Sequence, residues 1–153
     1  MTANIPHSAQ SPAAKAPRIF TSANKREVVL EELNHLFVKT GQPLRNLEKL
    51  KIALQNSLLC ITARLISDQM LVGFVRVSGD GVFNATVWDL VVDPSLPNGE
   101  DAKTQLIIRL KREIKRTLPH CAVSIFAHPQ DFHLLSLANF AEDEKGIRAM
   151  GLK

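Results

Sequence analysis

The sequence predicts an α+β fold in which helices cover both faces of one mixed, mostly antiparallel sheet. Three observations lead to this prediction. The most apolar run, residues 84–94, is typical of a central strand that a proline turn ends. The runs 58–66 and 70–78 are also typical of strands, and the short Ser-Asp-Gln connection between them favours an antiparallel hairpin. Residues 102–118 show the helical recurrence of apolar side chains that buries one face of a helix.

The length and composition predict one soluble domain. The chain has 153 residues, of which 45% are hydrophobic and 22% are charged, and these values are typical of a globular domain with its own core. No apolar run approaches the ~20 residues that cross a bilayer. Cys60 and Cys121 lie in strand-like runs, where reduced cysteines pack as small apolar side chains, so the sequence favours a reducing compartment.

Residues 1–18 are expected to form a disordered tail, and residues 19–153 the folded domain. The tail has prolines among small polar residues and little to bury. The first acidic residue of the chain is Glu27, so the tail is cationic. Such an N-terminus is typical of a plain bacterial tail and also of a short organelle transit segment. We therefore expect a bacterial cytoplasmic protein, with the plastid stroma as the alternative compartment.

Two helices are predicted between a short first strand, 18–21, and the hairpin. Asn24 and Glu27 have the spacing of a capping box, which predicts a helix that runs to Thr40. A second asparagine is the expected cap of a helix over 47–56. The C-terminal part of the sequence predicts a buried strand over 122–127, a helix over 129–138 and a last edge strand over 147–152.

The predicted long helix, 102–118, has a basic outer side. Arg109, Arg112 and Arg116 fall at helical spacing, and two lysines lie between them. One interpretation is an ordinary solvated face, because cations near the C-terminus of a helix are favourable. The other is that these three arginines bind an anionic partner.

Several phrases of the sequence resemble one known family. The order of the predicted elements is that of the GCN5-related N-acetyltransferase fold, and the phrases resemble its chloroplast and cyanobacterial branch, which includes plant serotonin N-acetyltransferase. The resemblance covers nearly everything after the tail. It rests on Glu-Glu-Leu-Asn at 31–34, Glu-Lys-Leu at 48–50, Leu-Gln-Asn-Ser at 54–57, Leu-Val-Gly-Phe at 71–74, the run 83–94, and Gly-Ile at 146–147.

The resemblance implies a site for acetyl-CoA. In the family, the strand equivalent to 84–92 splays from its neighbour, and its backbone pairs with the pantetheine arm of the cofactor. The positions implied for that contact are Leu90, Val91 and Val92. A Gln-Gly-x-Gly-x-Gly-like loop then wraps the diphosphate at the start of the long helix, where Gly99 and Lys103 stand in this chain.

That loop departs from the family pattern. Residues 96–103 are Leu-Pro-Asn-Gly-Glu-Asp-Ala-Lys, so only Gly99 remains of the expected glycines. Pro97 removes an amide donor, and Glu100 and Asp101 place carboxylates where the ligand anion would lie. Both acids are also good first-turn residues, which stabilise a helix in place of a bound anion. The loop therefore predicts an empty diphosphate site.

The expected acid catalyst is also missing. Family members commonly use a tyrosine on the penultimate helix, but this chain contains no tyrosine and has Leu134 and Leu135 at that place. Ser136 is the remaining candidate acid there. Asp89 is the candidate base, and the alternative is that its carboxylate is satisfied within the sheet. His128 and its neighbours Asp131 and His133 do not share one helical face, so no metal site is expected.

The sequence therefore predicts an acetyltransferase-fold protein that is catalytically degenerate and retained to bind another protein, with no cofactor expected. The first alternative is an active enzyme that uses acetyl-CoA to acetylate a small amine or a protein lysine. The second alternative is a basic module whose long helix binds RNA or an anionic surface.

Overall fold

The computed structural model describes residues 15–146, 148 and 150–152. Most of the predicted tail, residues 1–14, lies outside the described residues. The elements follow one another as predicted from the first strand to the last helix. They are β1 (Ile19–Ser22), a 3-10 turn (Lys25–Glu27), α1 (Leu30–Lys39), α2 (Leu47–Gln55), β2 (Leu59–Leu65), β3 (Leu71–Gly79), β4 (Asn84–Val92), α3 (Gly99–Thr117), β5 (Ala122–Ile125), a second 3-10 turn (Pro129–Asp131) and α4 (Phe132–Leu137).

The five strands form one sheet in sequence order. Strands β1 to β4 are antiparallel neighbours, and β5 lies parallel to β4. Helix α3 makes the crossover that a parallel pair requires. The predicted α+β class with a mixed, mostly antiparallel sheet is confirmed.

The sheet has an apolar core on each face. On one face α3 packs through Leu106 and Leu110 against β2, β3 and β4. The backbone at Gly73 lets this helix approach, because a Cβ at Gly73 would lie 2.9 Å from Leu106 Cδ1. On the other face α1 and α2 cover the sheet, and Phe37 meets Phe74 edge to face with ring centroids 6.1 Å apart.

The prediction of one helix from Asn24 to Thr40 is wrong in its first turn. The Asn24 side chain caps only a 3-10 turn, by accepting from the amide of Arg26. Val28 and Val29 then adopt extended backbone angles, with ψ of 111° and 122°, and α1 begins at Leu30. Two adjacent β-branched residues favour this extended conformation.

The predicted bounds of several later elements also change. The strand predicted as buried over 122–127 ends at Ile125, and none of its residues is buried. Helix α3 begins at Gly99, three residues before the predicted start. The predicted helix 129–138 is a 3-10 turn followed by the short α4. Of the predicted edge strand 147–152, Ile147 and Ala149 lie outside the described residues, and the four described residues, 148 and 150–152, form no strand. Within the described part of the chain, no helix is long and apolar enough to span a membrane.

Candidate functional site

The candidate site is a cleft between β4 and β5. The two strands pair from Asn84↔Ala122 to Val87↔Ile125, and from Trp88 onward no described residue pairs with β4 on that side. The opening has a volume of about 580 Å³. Its walls are the C-terminal half of β4, residues 125–128 with Gln130 and Asp131, Leu135, Lys103 of α3, and residues 39–42 at the end of α1. The cleft lies where the resemblance predicts the splayed strand, and it is lined by the predicted Leu90, Val91, Val92, Asp89 and Lys103.

A bulge in β4 shapes the strand side of the cleft. Val91 pairs with Phe74 and Trp88 pairs with Arg76, so two residues of β4 oppose a single residue of β3. Asp89 lies in this bulge with φ of 56°, a left-handed conformation that aspartate tolerates better than most residues. The bulge reverses the alternation of β4, since Val87 faces the α3 core whereas Val91, four residues later, faces the α1 and α2 core.

The Asp89 carboxylate is held by two arginines. Arg45 contacts both oxygens, at 2.8 and 3.2 Å, and Arg76 Nε lies 2.6 Å from Oδ2. Burial alone would raise the pKa of Asp89, but the hydrogen bonds and charges of the two arginines outweigh it and hold the pKa below its usual value. A carboxylate bound in this way accepts a proton poorly. The geometry therefore favours the alternative, a carboxylate satisfied in the sheet, and the catalytic role of Asp89 stays a prediction.

A second ion pair joins α1 to the end of β4. Lys39 Nζ lies 2.7 Å from Asp93 Oδ2, and Asp93 is 2% exposed. Together with Arg45–Asp89, this pair ties both ends of segment 40–44 to β4. The buried Asn34 carboxamide adds to the anchor, since it donates to the carbonyl of Arg45 and accepts from its amide. The first residues of the segment are thereby fixed as one wall of the cleft.

The start of α3 reaches the cleft only through Lys103, since the predicted Gly99 and its neighbours Glu100 and Asp101 are not among the residues of the cleft wall. Leu96 and Gly99 use their amides within the turn, donating to the carbonyls of Asp93 and Leu96. No side chain caps the helix, and Glu100 and Asp101 are exposed in its first turn. Gly99 is not needed for space, because a Cβ there would find its nearest atom 3.7 Å away. The structure thus places two carboxylates in the first turn of α3, which is where the resemblance implies the diphosphate.

Lys103 lines the cleft next to this helix end. Its Nζ lies 2.6 Å from Oδ1 of Asp131, which is 7% exposed. The lysine charge is therefore already balanced by a protein carboxylate. Among the described residues, no group of three His, Cys, Asp or Glu side chains is arranged to hold a metal.

The position implied for the acid catalyst is apolar. Leu135 lines the cleft and is 3% exposed. Ser136 points elsewhere, since it is exposed, is not among the residues of the cleft wall, and donates its hydroxyl to the carbonyl of His133. The structure therefore does not bring Ser136 and Asp89 together.

Sequence reasoning missed the aromatic pair at the mouth of the cleft. Trp88 lies on β4 and Phe126 directly follows β5, with ring centroids 5.2 Å apart, and both are partly exposed. The available signal was one aromatic residue within each of two predicted strands, 84–94 and 122–127. The parallel pairing of β4 and β5, which brings them together, was not predicted.

The basic side of α3 is less uniform than the sequence suggested. Glu113 is 4% exposed, and its carboxylate accepts hydrogen bonds from Arg109 and Arg116, at 2.8 and 2.7 Å. These bonds, that of Arg116 first, lower the pKa of Glu113. Arg109 also donates to the carbonyl of Thr21. Of the three predicted arginines, only Arg112 is exposed without a hydrogen bond or ion pair among the described residues.

The chain is similar to acetyltransferases in sequence and in fold, although no protein-family profile matches it. It is 34% identical over 137 residues to an uncharacterized N-acetyltransferase, ycf52, of Pyropia yezoensis. The alignment covers 86% of this chain and 75% of that protein. It is 32% identical over 124 residues to chloroplastic GCN5-related N-acetyltransferase 1 of Arabidopsis thaliana, covering 79% of this chain and 60% of that protein.

A solved structure shows the same fold. A probable acetyltransferase of unknown function from meticillin-resistant Staphylococcus aureus superposes with a TM-score of 0.74, over 89% of this chain and 99% of that one, at 22% identity.

Proposed function

Because the chain belongs to the GCN5-related N-acetyltransferase family, we propose that it is a catalytically degenerate member that is retained to bind another protein. The argument compares the cleft with acetyl-CoA, the cofactor that this family usually uses. The strand end fits the cofactor. From Trp88 onward, β4 leaves backbone groups open on the β5 side, as a pantetheine arm requires.

The observation that carries the proposal is the acidic first turn of α3, which disfavours a bound diphosphate. Glu100 and Asp101 are exposed in the first turn of α3, and Pro97 has no amide to donate. A like-charge contact near 4 Å costs roughly 1 kcal/mol in water and about 4 kcal/mol at an effective dielectric constant of 20. Two acids that face two phosphates would therefore offset much of the ~8 kcal/mol of a micromolar complex.

The side chains that the resemblance implies for catalysis support the same proposal. Asp89 is held by two arginines, Lys103 is paired with Asp131, and Leu135 occupies the place implied for the acid. General acid and base catalysis contributes typically 10² to 10⁴ in rate. An enzyme without either group would therefore acetylate slowly even with acetyl-CoA bound in the cleft. The chloroplastic Arabidopsis relative favours the plastid stroma over a bacterial cytoplasm as the compartment.

Calorimetric titration with acetyl-CoA tests the proposal. We expect a Kd weaker than about 50 μM, and no amine-dependent release of free thiol from acetyl-CoA above the uncatalysed rate. The amine panel should contain small aromatic and aliphatic amines and a lysine peptide. A Kd below about 50 μM, or amine-dependent thiol release, would contradict degeneracy and favour an active N-acetyltransferase.

A further inference from the structure

We propose that the outer face of α3 binds the α3 helix of a second copy of this chain, antiparallel and across a two-fold axis at Ile108. This inference is independent of whether the cleft is degenerate. It concerns the solvent side of the helix, opposite the side that packs on the sheet.

The outer face is a stripe centred on Ile108. This side chain is 62% exposed and is the middle residue of α3, which runs from Gly99 to Thr117. At 100° per residue, the side chains within about 60° of Ile108 are those at three, four and seven residues on either side. None of them is buried: Asp101, Thr104, Gln105, Lys111, Arg112 and Lys115.

The two ends of this stripe have opposite charge. Asp101 supplies a carboxylate at the N-terminal end, and Glu100 lies next to it at the edge of the stripe. Lys111, Arg112 and Lys115 supply cations at the C-terminal end, and none of these three has an ion pair among the described residues. Arg109 and Arg116 are directed to Glu113 instead, so they add little unbalanced charge.

This arrangement is complementary to itself. In an antiparallel pair that crosses at Ile108, residues equally far from Ile108 on opposite sides face each other across the two-fold axis. Asp101 precedes Ile108 by seven residues and Lys115 follows it by seven, so Asp101 of each copy lies opposite Lys115 of the other, about 10 Å from the crossing. A crossing angle near 20° keeps such side chains within reach, and the two Ile108 side chains pack at the centre.

A second copy fits this face better than a polyanion does. RNA or an anionic membrane would attract the C-terminal cations but would be repelled by Asp101 on the same stripe and by Glu100 beside it. A single helix face is smaller than the ~1,200 Å² of a standard stable interface, so we expect a dimer with a Kd on the order of 10 to 100 μM. Two ion pairs at the rim make this association sensitive to salt.

Sedimentation velocity over a concentration series tests the dimer by charge exchange. Asp101→Lys and Lys115→Asp each place like charges opposite each other, and each should weaken dimerisation at least about tenfold. The double variant Asp101→Lys/Lys115→Asp restores opposite charges and should return the Kd to within about threefold of the original. Ile108→Glu should also abolish the dimer.

Ile52→Glu is the matched control, because Ile52 is 55% exposed on α2, outside this face, and its substitution should leave the Kd unchanged. The unfolding midpoint of each variant shows whether its fold is kept. A chain that stays monomeric up to about 1 mM, or a double variant that is no better than either single one, would overturn the proposal. So would salt-sensitive RNA binding without any self-association.

Discussion

The strand end and the helix end of the cleft differ in how much the fold itself depends on them. At the strand end, the bulged Asp89 joins Arg45 and Arg76, so the same residues shape the cleft and hold the sheet to α1 and α2. At the helix end, Gly99, Glu100 and Asp101 make no long-range contact that the fold requires. The residues of the strand end are therefore tied to the stability of the fold, whereas the first turn of α3 can change its composition while the cleft keeps its architecture.

The largest expected effect comes from removing the anchor of the strand end. Asp89→Ala leaves two largely buried guanidinium groups without their carboxylate, and we expect it to lower the free energy of unfolding by about 3 kcal/mol. Asp89→Asn is the matched control, because asparagine tolerates the positive φ and still accepts a hydrogen bond, so its loss should be smaller. Urea unfolding measures both. Equal losses of unfolding free energy in the two variants would show that the charge of Asp89 does not contribute to stability.

The next prediction compares a variant that disturbs the packing of α3 on the sheet with a variant that changes only its first turn. Gly73→Val places side-chain atoms against Leu106 and Ala63 and should lower the free energy of unfolding by about 1 to 3 kcal/mol. Gly99→Ala meets no atom closer than 3.7 Å and should change it by less than about 0.5 kcal/mol. Thermal unfolding of both variants checks the difference. A large loss from Gly99→Ala would mean that the fold does depend on the helix end.

The helix end can be altered to restore an anion site. Glu100→Gly/Asp101→Gly removes both carboxylates and restores backbone freedom, and we expect it to tighten acetyl-CoA binding by about tenfold, or 1.4 kcal/mol. Glu100→Gln/Asp101→Asn removes the charges alone. Calorimetry on both variants divides the gain between repulsion and backbone freedom. No gain in either variant would show that neither explains weak binding.

The smallest effect is the acid dependence of the strand end. The pKa of Asp93 is lowered, because hydrogen bonds from Lys39 and Ser95 outweigh its burial, and the pKa of Asp89 is lowered as well. The stability from a depressed carboxyl pKa is fully present above the unfolded value near 3.9 and is lost as pH falls from there through the lower folded pKa. The free energy of unfolding should therefore stay level from about pH 7 to 5 and fall below about pH 4. Lys39→Met should make that fall shallower, and an unchanged curve would count against the Lys39–Asp93 pair.

The sequence predicted those elements that have strong local signals. The predicted run 84–94 begins at the first residue of β4 and ends two residues after its last. The asparagine cap of α2 is confirmed, with Asn46 Oδ1 accepting from the amide of Lys49. The family resemblance, which rested on short phrases, is also confirmed by the relatives. Local pattern and phrase order were sufficient for the fold.

Contacts between distant residues were beyond the sequence patterns. Asp89 meets Arg45 across 44 positions, and no periodicity announces a bulge. The prediction of a uniformly basic face on α3 failed for the same reason. The number of arginines does not show that Glu113 is buried between two of them. Charges can be counted in a sequence, but their partners are set by the fold.

Comparing pantetheine with coenzyme A tests the central claim most directly, because the two ligands share the arm that the strand end would bind and differ by the diphosphate and nucleotide. Both are titrated into the same protein by calorimetry at low ionic strength, where charge effects are strongest. The account predicts that coenzyme A binds no more tightly than pantetheine. Coenzyme A binding more than about tenfold tighter would contradict it, because the start of α3 would then still serve as a diphosphate site.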